Sequence, residues 1–472
     1  MKLIYGVKDK PKFGQLIVFT IQQLLAIMAA TLVVPVIIGN GMSPAAALLG
    51  AGVGTLVYLC FTKFRSPAFL GSSFAFLGSM AAAFAGAVST AAGYAGLIIG
   101  AFFAGLVYVV IAIIVKLAGV NWINKLMPAV VIGPTVSIIG LSLAGNAIGD
   151  LQSGGLKAAV EVGKVVTEND VDIIKYATEY QSVANPLICV LIGLITLATV
   201  ILCSTYGKKM TRLIPFIIGI LTGYAVAAVF TLIGNAANID ALKVIDFTKI
   251  TSLWANGVNL ETFLTLPDFT FVEAIKGVKD IDGTYIATLA VAYFPVAFVV
   301  FAEHIADHKN LSSIIEDDLL ENPGLHRTLL GDGVGSMAGA FFGGCPNTTY
   351  GESVGCVAIT GNASVYTIAT AAILAILISF ISPFVAFVNS IPACVMGGVC
   401  MALYGFIAVS GLKMVQKVDL NNNKNLFVVS TILIAGIGGL TLTFGKVTIT
   451  SIACALILGI LVNIMVSKAK EQ

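Results

Sequence analysis

Long runs of apolar residues that recur along the chain constrain its fold more than any other feature. The first, from Leu16 to Ile38, exceeds the roughly 20 residues that a helix needs to cross a bilayer. Of the 472 residues, 58% are hydrophobic and only 11% are charged, whereas soluble domains are about a quarter charged. A soluble chain of this composition could not cover its surface with polar groups. The sequence therefore predicts an all-α polytopic membrane protein and argues against a cytosolic enzyme or a nucleic-acid binder.

The apolar runs are numerous enough for an even number of spans near 14. We predict spans over residues 14–38, 45–61, 68–88, 92–115, 127–148, 184–204, 212–234, 285–307, 326–343, 347–360, 365–382, 384–410, 426–443 and 446–466. Two longer polar stretches, 149–183 and 235–284, interrupt this pattern and hold much of the mixed charge. We interpret both stretches as loops outside the membrane.

Basic residues set the predicted orientation, because cytoplasmic loops of membrane proteins carry an excess of lysine and arginine. If the lysine-rich segment 1–12 lies in the cytoplasm, most of the 26 basic residues fall on that side, including Arg65, Arg212 and Arg327. Omitting one span would invert every later loop and destroy this asymmetry. The sequence therefore predicts a multi-pass protein of the cell (plasma or inner) membrane, with both termini in the cytoplasm.

Two segments do not fit simple spanning helices. Residues 66–74 and 343–352 each place proline, glycine and hydroxyl side chains in an otherwise apolar region. Backbone that is not helical must be buried in protein or line a cavity when it lies inside a membrane. A pair of such interrupted segments, one in each half of the chain, indicates the midplane binding site of a transporter. Ordinary kinks or short loops are the alternative interpretation.

Few of the 24 acidic residues fall inside the predicted spans. Those that do are Glu303, Asp307, Asp332 and Glu352, beside the second interrupted segment. A charge at the bilayer centre costs about 2.5–3.5 kcal/mol on insertion scales, so such residues usually have a function. Carboxyl groups can accept hydrogen bonds from a ligand and can exchange protons. Asp332 also fits a role in helix packing.

Histidines in the same region allow a second interpretation. Glu303 and Asp307 share one helix face because they are four residues apart, and His304 and His308 share a neighbouring face. Two histidines at this spacing, with carboxylates nearby, could bind zinc in an intramembrane metalloenzyme. The run lacks the HExxH order of such enzymes, and we predict no metal and no cofactor.

These motifs resemble the nucleobase–ascorbate transporter family, which includes the uracil and xanthine permeases. The family signature is Gln, Glu or Pro, then Asn, any residue, Gly, four residues, Thr and a basic residue or Gly. In this chain the matching stretch is 352–361, which reads ESVGCVAITG. The resemblance runs from Pro11 to about Val466 and is strongest in 67–76, 301–307 and 346–360.

The resemblance implies the architecture. Members of the family have 14 spans in two inverted seven-span repeats, and spans 3 and 10 contain short extended strands. Spans 1–4 and 8–11 form a core domain, which here would be residues 1–125 and 285–382. Spans 5–7 and 12–14 form a gate domain, which would be residues 126–284 and 383–472. Members commonly form homodimers through the gate domain.

The resemblance also implies a site between core and gate and a function for it. Glu303 and Glu352 would bind the ligand, Phe74 and Gly351 would supply backbone contacts, and Tyr350 and Tyr404 would line the pocket. Asp307, Glu352 and His304 are the candidates for proton coupling. The implied activity is import of uracil by proton symport, with no enzymatic reaction.

Two departures keep a xanthine or purine permease open as the alternative. Ser353 stands where the signature has Asn, which weakens any binding role at that position. Asp307 stands where some uracil members have His, which leaves the proton-coupling residue open. The expected partners are a nucleobase, protons and the lipid bilayer.

Overall fold

The structure is a computed structural model that describes residues 3–119, 128–168, 171–208, 210–444 and 447–467. Some of the basic residues that support the predicted orientation lie outside the described residues, namely Lys2, Lys125, Lys209, Lys468 and Lys470. Within the described residues the chain is mostly helical, as the apolar runs predict.

Long apolar helices are the main elements of the described structure. Eight stretches of the described residues are helical, long and apolar enough to cross a membrane. They comprise α1 (Phe13–Ile38), α2 (Pro44–Phe61), α4 (Thr90–Ala118), the consecutive pair α5 (Ala129–Ser142) and α6 (Ala144–Leu151), α7 (Pro186–Tyr206), α8 (Pro215–Ala237), α10 (Gly283–Ile315) and α15 (Ala393–Val415).

The other helices of eight or more residues are shorter or less apolar than these. They are α3 (Leu77–Ala85), α9 (Thr270–Gly277), α11 (Leu325–Gly343), α12 (Gly351–Thr360), α13 (Val365–Ile378), α14 (Ser382–Ser390), α16 (Asn423–Ile437) and α17 (Ser451–Ser467). The strands are β1 (Leu70–Ser72), β2 (Lys157–Glu168), β3 (Val171–Ser182), β4 (Asn347–Thr349), β5 (Leu442–Phe444) and β6 (Val447–Ile449).

Local sequence explains where several helices begin. Ser43 accepts a hydrogen bond from the Ala46 backbone N–H and precedes Pro44, so α2 starts with a side-chain cap and a proline in its first turn. Ser89 caps α4 in the same way through the N–H of Ala92. These caps satisfy backbone donors that the first turn of a helix leaves free.

The predicted single span over 384–410 is wrong. The structure divides this region into α14 and α15, with Ile391 and Pro392 between them. Ile391 adopts an extended conformation because the ring of a following proline disfavours the helical one. Asn389, Ser390 and Pro392 were the available signal for the break, although apolar residues continue on both sides of it.

The two interrupted segments contain the short strands that the family resemblance implies. Strands β1 and β4 pair antiparallel, with Leu70 opposite Thr349, Gly71 opposite Thr348 and Ser72 opposite Asn347. All of their residues are buried. The pairing satisfies backbone groups that could not find water at this depth in a bilayer. The structure therefore confirms the prediction of extended strands at both interrupted segments.

Glycines allow helices on both sides of the strand pair to approach closely. A Cβ atom at Gly50 on α2 would lie 2.4 Å from the carbonyl oxygen of Gly339 on α11. A Cβ atom at Gly140 on α5 would lie 2.2 Å from the carbonyl oxygen of Tyr404 on α15. Small residues at helix contacts are typical of membrane proteins. The α2–α11 and α5–α15 contacts are therefore closely packed.

The two polar stretches have more structure than a loop. Within 149–183, β2 and β3 form an antiparallel hairpin, and 235–284 contains α9 and several helical turns. The hairpin was not predicted, although β-branched residues recur along 160–174.

Candidate functional site

A cavity of about 500 Å³ lies beside the strand pair. Its polar wall comes from the interrupted segments and from α10, and its apolar wall comes mostly from α5 and α15. The polar lining includes Ser73, Glu303, Asp307, Thr348, Tyr350 and Glu352, and the apolar lining includes Val136, Ile139, Leu403, Phe406 and Ile407. A small, polar and flat ligand could therefore hydrogen-bond on one side and pack on the other.

Three carboxyl groups line this cavity. Glu303 and Asp307 lie one turn apart on α10, and Glu352 lies in the first turn of α12. Asp307 accepts a hydrogen bond of 3.0 Å from the hydroxyl of Thr349 on β4. Among the described residues, the Glu303 carboxyl has no hydrogen-bond partner. Its hydrogen-bonding capacity is therefore free for a ligand.

Two helical segments begin at the cavity, one after each strand. A 3₁₀ turn that starts at Phe74 leads into α3, and α12 starts at Gly351. Phe74 and Gly351 both line the cavity. The first backbone N–H groups of a helix lack partners within the helix and carry its partial positive charge. The cavity therefore offers backbone donors as well as carboxyl acceptors.

Tyr350 both lines the cavity and holds the strands together. Its hydroxyl donates a 2.6 Å hydrogen bond to the carbonyl oxygen of Ser72. Its ring covers Gly71, where a Cβ atom would lie 2.4 Å from the ring. Tyr350 can contact a ligand with its ring face, since the hydroxyl is already engaged.

Tyr404 is not among the residues that line the cavity. Its ring packs edge-on against Phe74, with the ring centroids 6.1 Å apart, and it is 3% exposed. The family resemblance implied that Tyr404 lines the pocket. The structure places it one layer further out, where it supports Phe74.

His304 is buried behind the cavity wall. Its Nδ1 atom lies 2.8 Å from Oδ2 of Asp332, and its Nε2 atom lies 3.0 Å from the hydroxyl of Thr328. Asp332 also accepts a 3.3 Å hydrogen bond from Thr348, which lines the cavity. Asp332 and Thr348 therefore connect His304 to the cavity.

The histidine pair has no free ring nitrogen for a metal. The rings of His304 and His308 stack with centroids 4.0 Å apart. His308 Nδ1 lies 2.8 Å from the carbonyl oxygen of His304, and its Nε2 lies 2.7 Å from the hydroxyl of Tyr58. In the described part of the chain, no group of three or more His, Cys, Asp or Glu side chains could hold a metal. The structure gives no support to the metalloenzyme alternative.

Ser353 has a role that sequence reasoning missed. Its hydroxyl accepts hydrogen bonds from Nε2 of Gln23 at 2.5 Å and from the backbone N–H of Phe69 at 3.1 Å. It therefore connects α12 to α1 and to the chain that enters β1. A glutamine in the middle of the first apolar run was the available signal, because buried polar side chains need partners.

The cavity extends along α15 towards charged loops. Leu403, Phe406, Ile407, Ser410 and Met414 line it from one face of α15 over roughly 16 Å, at 1.5 Å per residue. Arg212, at the predicted cytoplasmic end of the span 212–234, lines it as well. The cavity thus runs from the strand pair towards the predicted cytoplasmic side.

A second cavity of about 510 Å³ lies on the other side of Phe74. Its lining includes Asn40, which follows the end of α1, and Asn146 on α6. Phe74 and Ile139 line both cavities. These two side chains therefore belong to the wall that separates the cavities.

Comparison with known proteins gives the family. The Permease family model Xan_ur_permease matches residues 14–171 and 166–445. The uracil permease of Bacillus caldolyticus is 38% identical over 467 residues, which covers 98% of this chain and 95% of that protein. The uracil permease of Bacillus subtilis (strain 168) is 36% identical over 475 residues, which covers 100% and 97%. That of Escherichia coli (strain K12) is 34% identical over 457 residues, which covers 96% and 92%.

Solved structures share the fold at low sequence identity. The transmembrane domain of a cyanobacterium bicarbonate transporter, BicA, aligns with a TM-score of 0.61 at 13% identity, over 97% of this chain and all of that chain. SLC26A9 aligns with a TM-score of 0.61 at 12% identity, over 97% of this chain and 66% of that chain. The fold is that of a polytopic membrane transporter. The chain belongs to the nucleobase–ascorbate transporter family and is a membrane permease, not an enzyme.

Proposed function

We propose that this chain is a secondary active transporter that imports uracil by proton symport. The observation that carries the proposal is the position of Glu303 and Glu352 on the wall of one cavity, beside the paired strands of two interrupted segments. The relatives named uracil permease match nearly the whole chain, which supports uracil as the substrate.

The cavity chemistry suits the polar edge of a pyrimidine base. Uracil presents ring N–H donors and carbonyl acceptors. The carboxyl groups of Glu303 and Glu352 can accept from the N–H groups. Backbone N–H groups near Phe74 and Gly351, at the starts of two helical segments, can donate to the carbonyl oxygens. Tyr350 contributes its ring, and Tyr404 keeps Phe74 in place.

Asp307 is the proton-coupling residue that we favour over Glu352 and His304. Asp307 lines the cavity one helical turn from Glu303, so a ligand bound at Glu303 can change whether the Asp307 carboxyl holds a proton. Glu352 is needed for binding, and His304 is separated from the cavity by Asp332 and Thr348. Proton entry down the membrane potential contributes about 2.3 kcal/mol per 100 mV.

The architecture that we propose has 14 spans in two inverted seven-span repeats. A strand followed by a short helix occurs in both halves, and the antiparallel pairing of β1 and β4 supports an inverted relation between them. Residues 1–125 and 285–382 form the core domain, and residues 126–284 and 383–472 form the gate domain. Both termini lie in the cytoplasm, and the protein resides in the cell membrane as a homodimer through its gate domains.

Transport follows from movement of core against gate. Phe74 belongs to the core, and Ile139 on α5 belongs to the gate. Both residues line both cavities, and the cavity that holds the carboxyl groups runs along α15 towards the predicted cytoplasmic side. We infer an inward-facing arrangement, in which separation of Phe74 from Ile139 would give access from outside.

Uptake of radiolabelled uracil into bacteria that lack their own uracil permease tests the proposal. We expect accumulation above the empty-vector level, loss of accumulation with a protonophore, and competition by unlabelled uracil but not by xanthine. Uptake equal to that of the vector, together with accumulation of xanthine, would assign the chain to the xanthine or purine alternative.

A further inference from the structure

Residues 4–9 form a segment that lies against the linker after α12. The N–H groups of Ile4 and Tyr5 donate to the carbonyl oxygen of Gly361 at 2.7 and 3.3 Å. In the other direction, the Ala363 N–H donates to the carbonyl oxygen of Tyr5 at 2.9 Å. The Val365 N–H and the Ser364 hydroxyl donate to the carbonyl oxygens of Val7 at 3.0 Å and Asp9 at 2.6 Å. We call residues 4–9 the N-terminal segment.

The N-terminal segment is itself anchored to α1 and α13. The Tyr5 hydroxyl hydrogen-bonds to the side chain of Gln15, and the Tyr5 ring packs edge-on against Phe19 at 6.1 Å. Immediately after the segment, the ammonium group of Lys10 lies 5.1 Å from the ring centroid of Tyr366. The segment therefore joins the first helix of the core to the linker between α12 and α13.

Helix α12 depends on contacts at its two ends. At its start, Glu352 faces the cavity, and β4 before it is held by pairing with β1. At its end, Gly361 adopts the left-handed conformation, with φ of +67°, and bonds to the N-terminal segment. Cys356 and Ile359 also line the cavity, so the helix borders it along most of its ten residues.

We propose that the N-terminal segment is a positioning element of the binding site, acting on Glu352 through α12. This inference rests on the proposed function, because it assigns the segment a role in uracil binding. Ala363 and Val365 are 0% and 2% exposed with the segment in place, and loss of the segment would remove the acceptors of both N–H groups. Loss of these hydrogen bonds would let the linker rearrange and release the C-terminal end of α12, so that the helix could tilt and move Glu352.

A pair of matched double variants tests the backbone contact. Ile4→Pro with Tyr5→Pro removes the two N–H groups that donate to Gly361. Ile4→Ala with Tyr5→Ala removes both side chains and keeps the N–H groups. We expect the proline pair to raise the KM for uracil about tenfold at unchanged protein level, and the alanine pair to raise it much less.

Native Cys356 supplies a readout that does not require transport. It lies on α12 and is 3% exposed, so it should react slowly with a maleimide. Loosening of α12 in the proline pair should speed the labelling of Cys356 several-fold. Peptide mass spectrometry measures the labelling. Cys189 on α7, which is fully buried and distant from the segment in sequence, serves as the internal control.

The two readouts separate this inference from the proposed function. Faster Cys356 labelling in the proline pair supports the positioning role even if the unmodified protein fails to take up uracil. If the proline pair has the same Cys356 labelling rate and the same KM for uracil as the unmodified protein, the positioning role is wrong. If the proline pair does not reach the membrane, Gly361→Ala tests the same joint, because its Cβ atom would meet Ile4 at 3.4 Å in a strained backbone conformation.

Discussion

The two strand–helix units that meet at the cavity have similar backbones and different chemistry. After β1 the chain continues Ser73, Phe74, Ala75, and after β4 it continues Tyr350, Gly351, Glu352. All six residues line the cavity. By position after the strand, Ala75 is the counterpart of Glu352.

This difference indicates a division of labour within a repeated architecture. The first unit supplies backbone donors and an apolar wall, and α3 is fixed against α10 by the Tyr285 hydroxyl, which donates to the carbonyl oxygen of Ala83 at 2.6 Å. The second unit supplies the carboxyl group, and its helix is held at the far end by the N-terminal segment. The two units thus share a strand followed by a helical segment, and the side chains that differ between them determine which ligand groups each unit can bind.

The largest effect should come from Glu352→Gln. The amide presents a donor to the ligand N–H group and removes the charge, so we expect uracil uptake to fall about a hundredfold. Ser73→Ala, in the first unit, should reduce uptake far less. Glu261→Gln, on an exposed helical turn away from the cavity, is the matched control. Normal transport by Glu352→Gln would remove Glu352 from the binding site.

Gly71→Ala tests whether the strand pair must keep its spacing. The added methyl group would lie 2.4 Å from the Tyr350 ring, so strand or ring must move, at a cost of about 1–3 kcal/mol. We expect a lower thermal unfolding temperature and at least about tenfold lower uptake. Gly78→Ala on α3, where a Cβ atom meets nothing within 4 Å, is the paired control and should behave like the unmodified protein. Equal stability of both variants would show that the strands tolerate separation.

The sequence contained the polar half of this site but not its arrangement. The four-residue spacing of Glu303 and Asp307 predicted a shared helix face, and proline and glycine marked both interrupted segments. Pairing of β1 with β4 joins residues that are far apart in the chain, so no local pattern could show it. Tyr404 was expected in the lining because of the family resemblance, which does not show the ring contact that it makes with Phe74 in this chain.

Other features could not be predicted, because a stretch of apolar residues has the same composition whether it forms one helix or two. The break at Ile391 and Pro392 follows only two polar residues, Asn389 and Ser390, and apolar residues continue on both sides. The contact between the N-terminal segment and the linker after α12 is made largely by backbone groups. Backbone hydrogen bonds leave little trace in residue identity, so the lysines there indicated orientation alone.

Asp307→Asn should separate binding from coupling. The asparagine cannot take up a proton, so accumulation should fall to the level seen with a protonophore, while exchange of labelled for unlabelled uracil continues. For a proton symporter, uptake rises as external pH falls, and this dependence should flatten in the variant. Accumulation measured at several external pH values checks the result.

Thr349→Val, which removes the 3.0 Å hydrogen bond to Asp307, should alter the pH dependence less than Asp307→Asn does. Retained accumulation would transfer the coupling role to Glu352 or His304.

The smallest effect on uracil transport should come from substitution of Tyr404, which contacts the first strand–helix unit at Phe74. Tyr404→Ala removes the edge-on contact with Phe74, worth about 0.5–1.5 kcal/mol, so the KM for uracil should rise about three- to tenfold. Tyr404→Phe keeps the ring and should stay close to the unmodified KM. If both variants raise the KM equally, the hydroxyl rather than the ring is important, and Tyr404 would belong to the polar side of the site. A result confined to Tyr404→Ala would support the view that the first unit contributes shape alone.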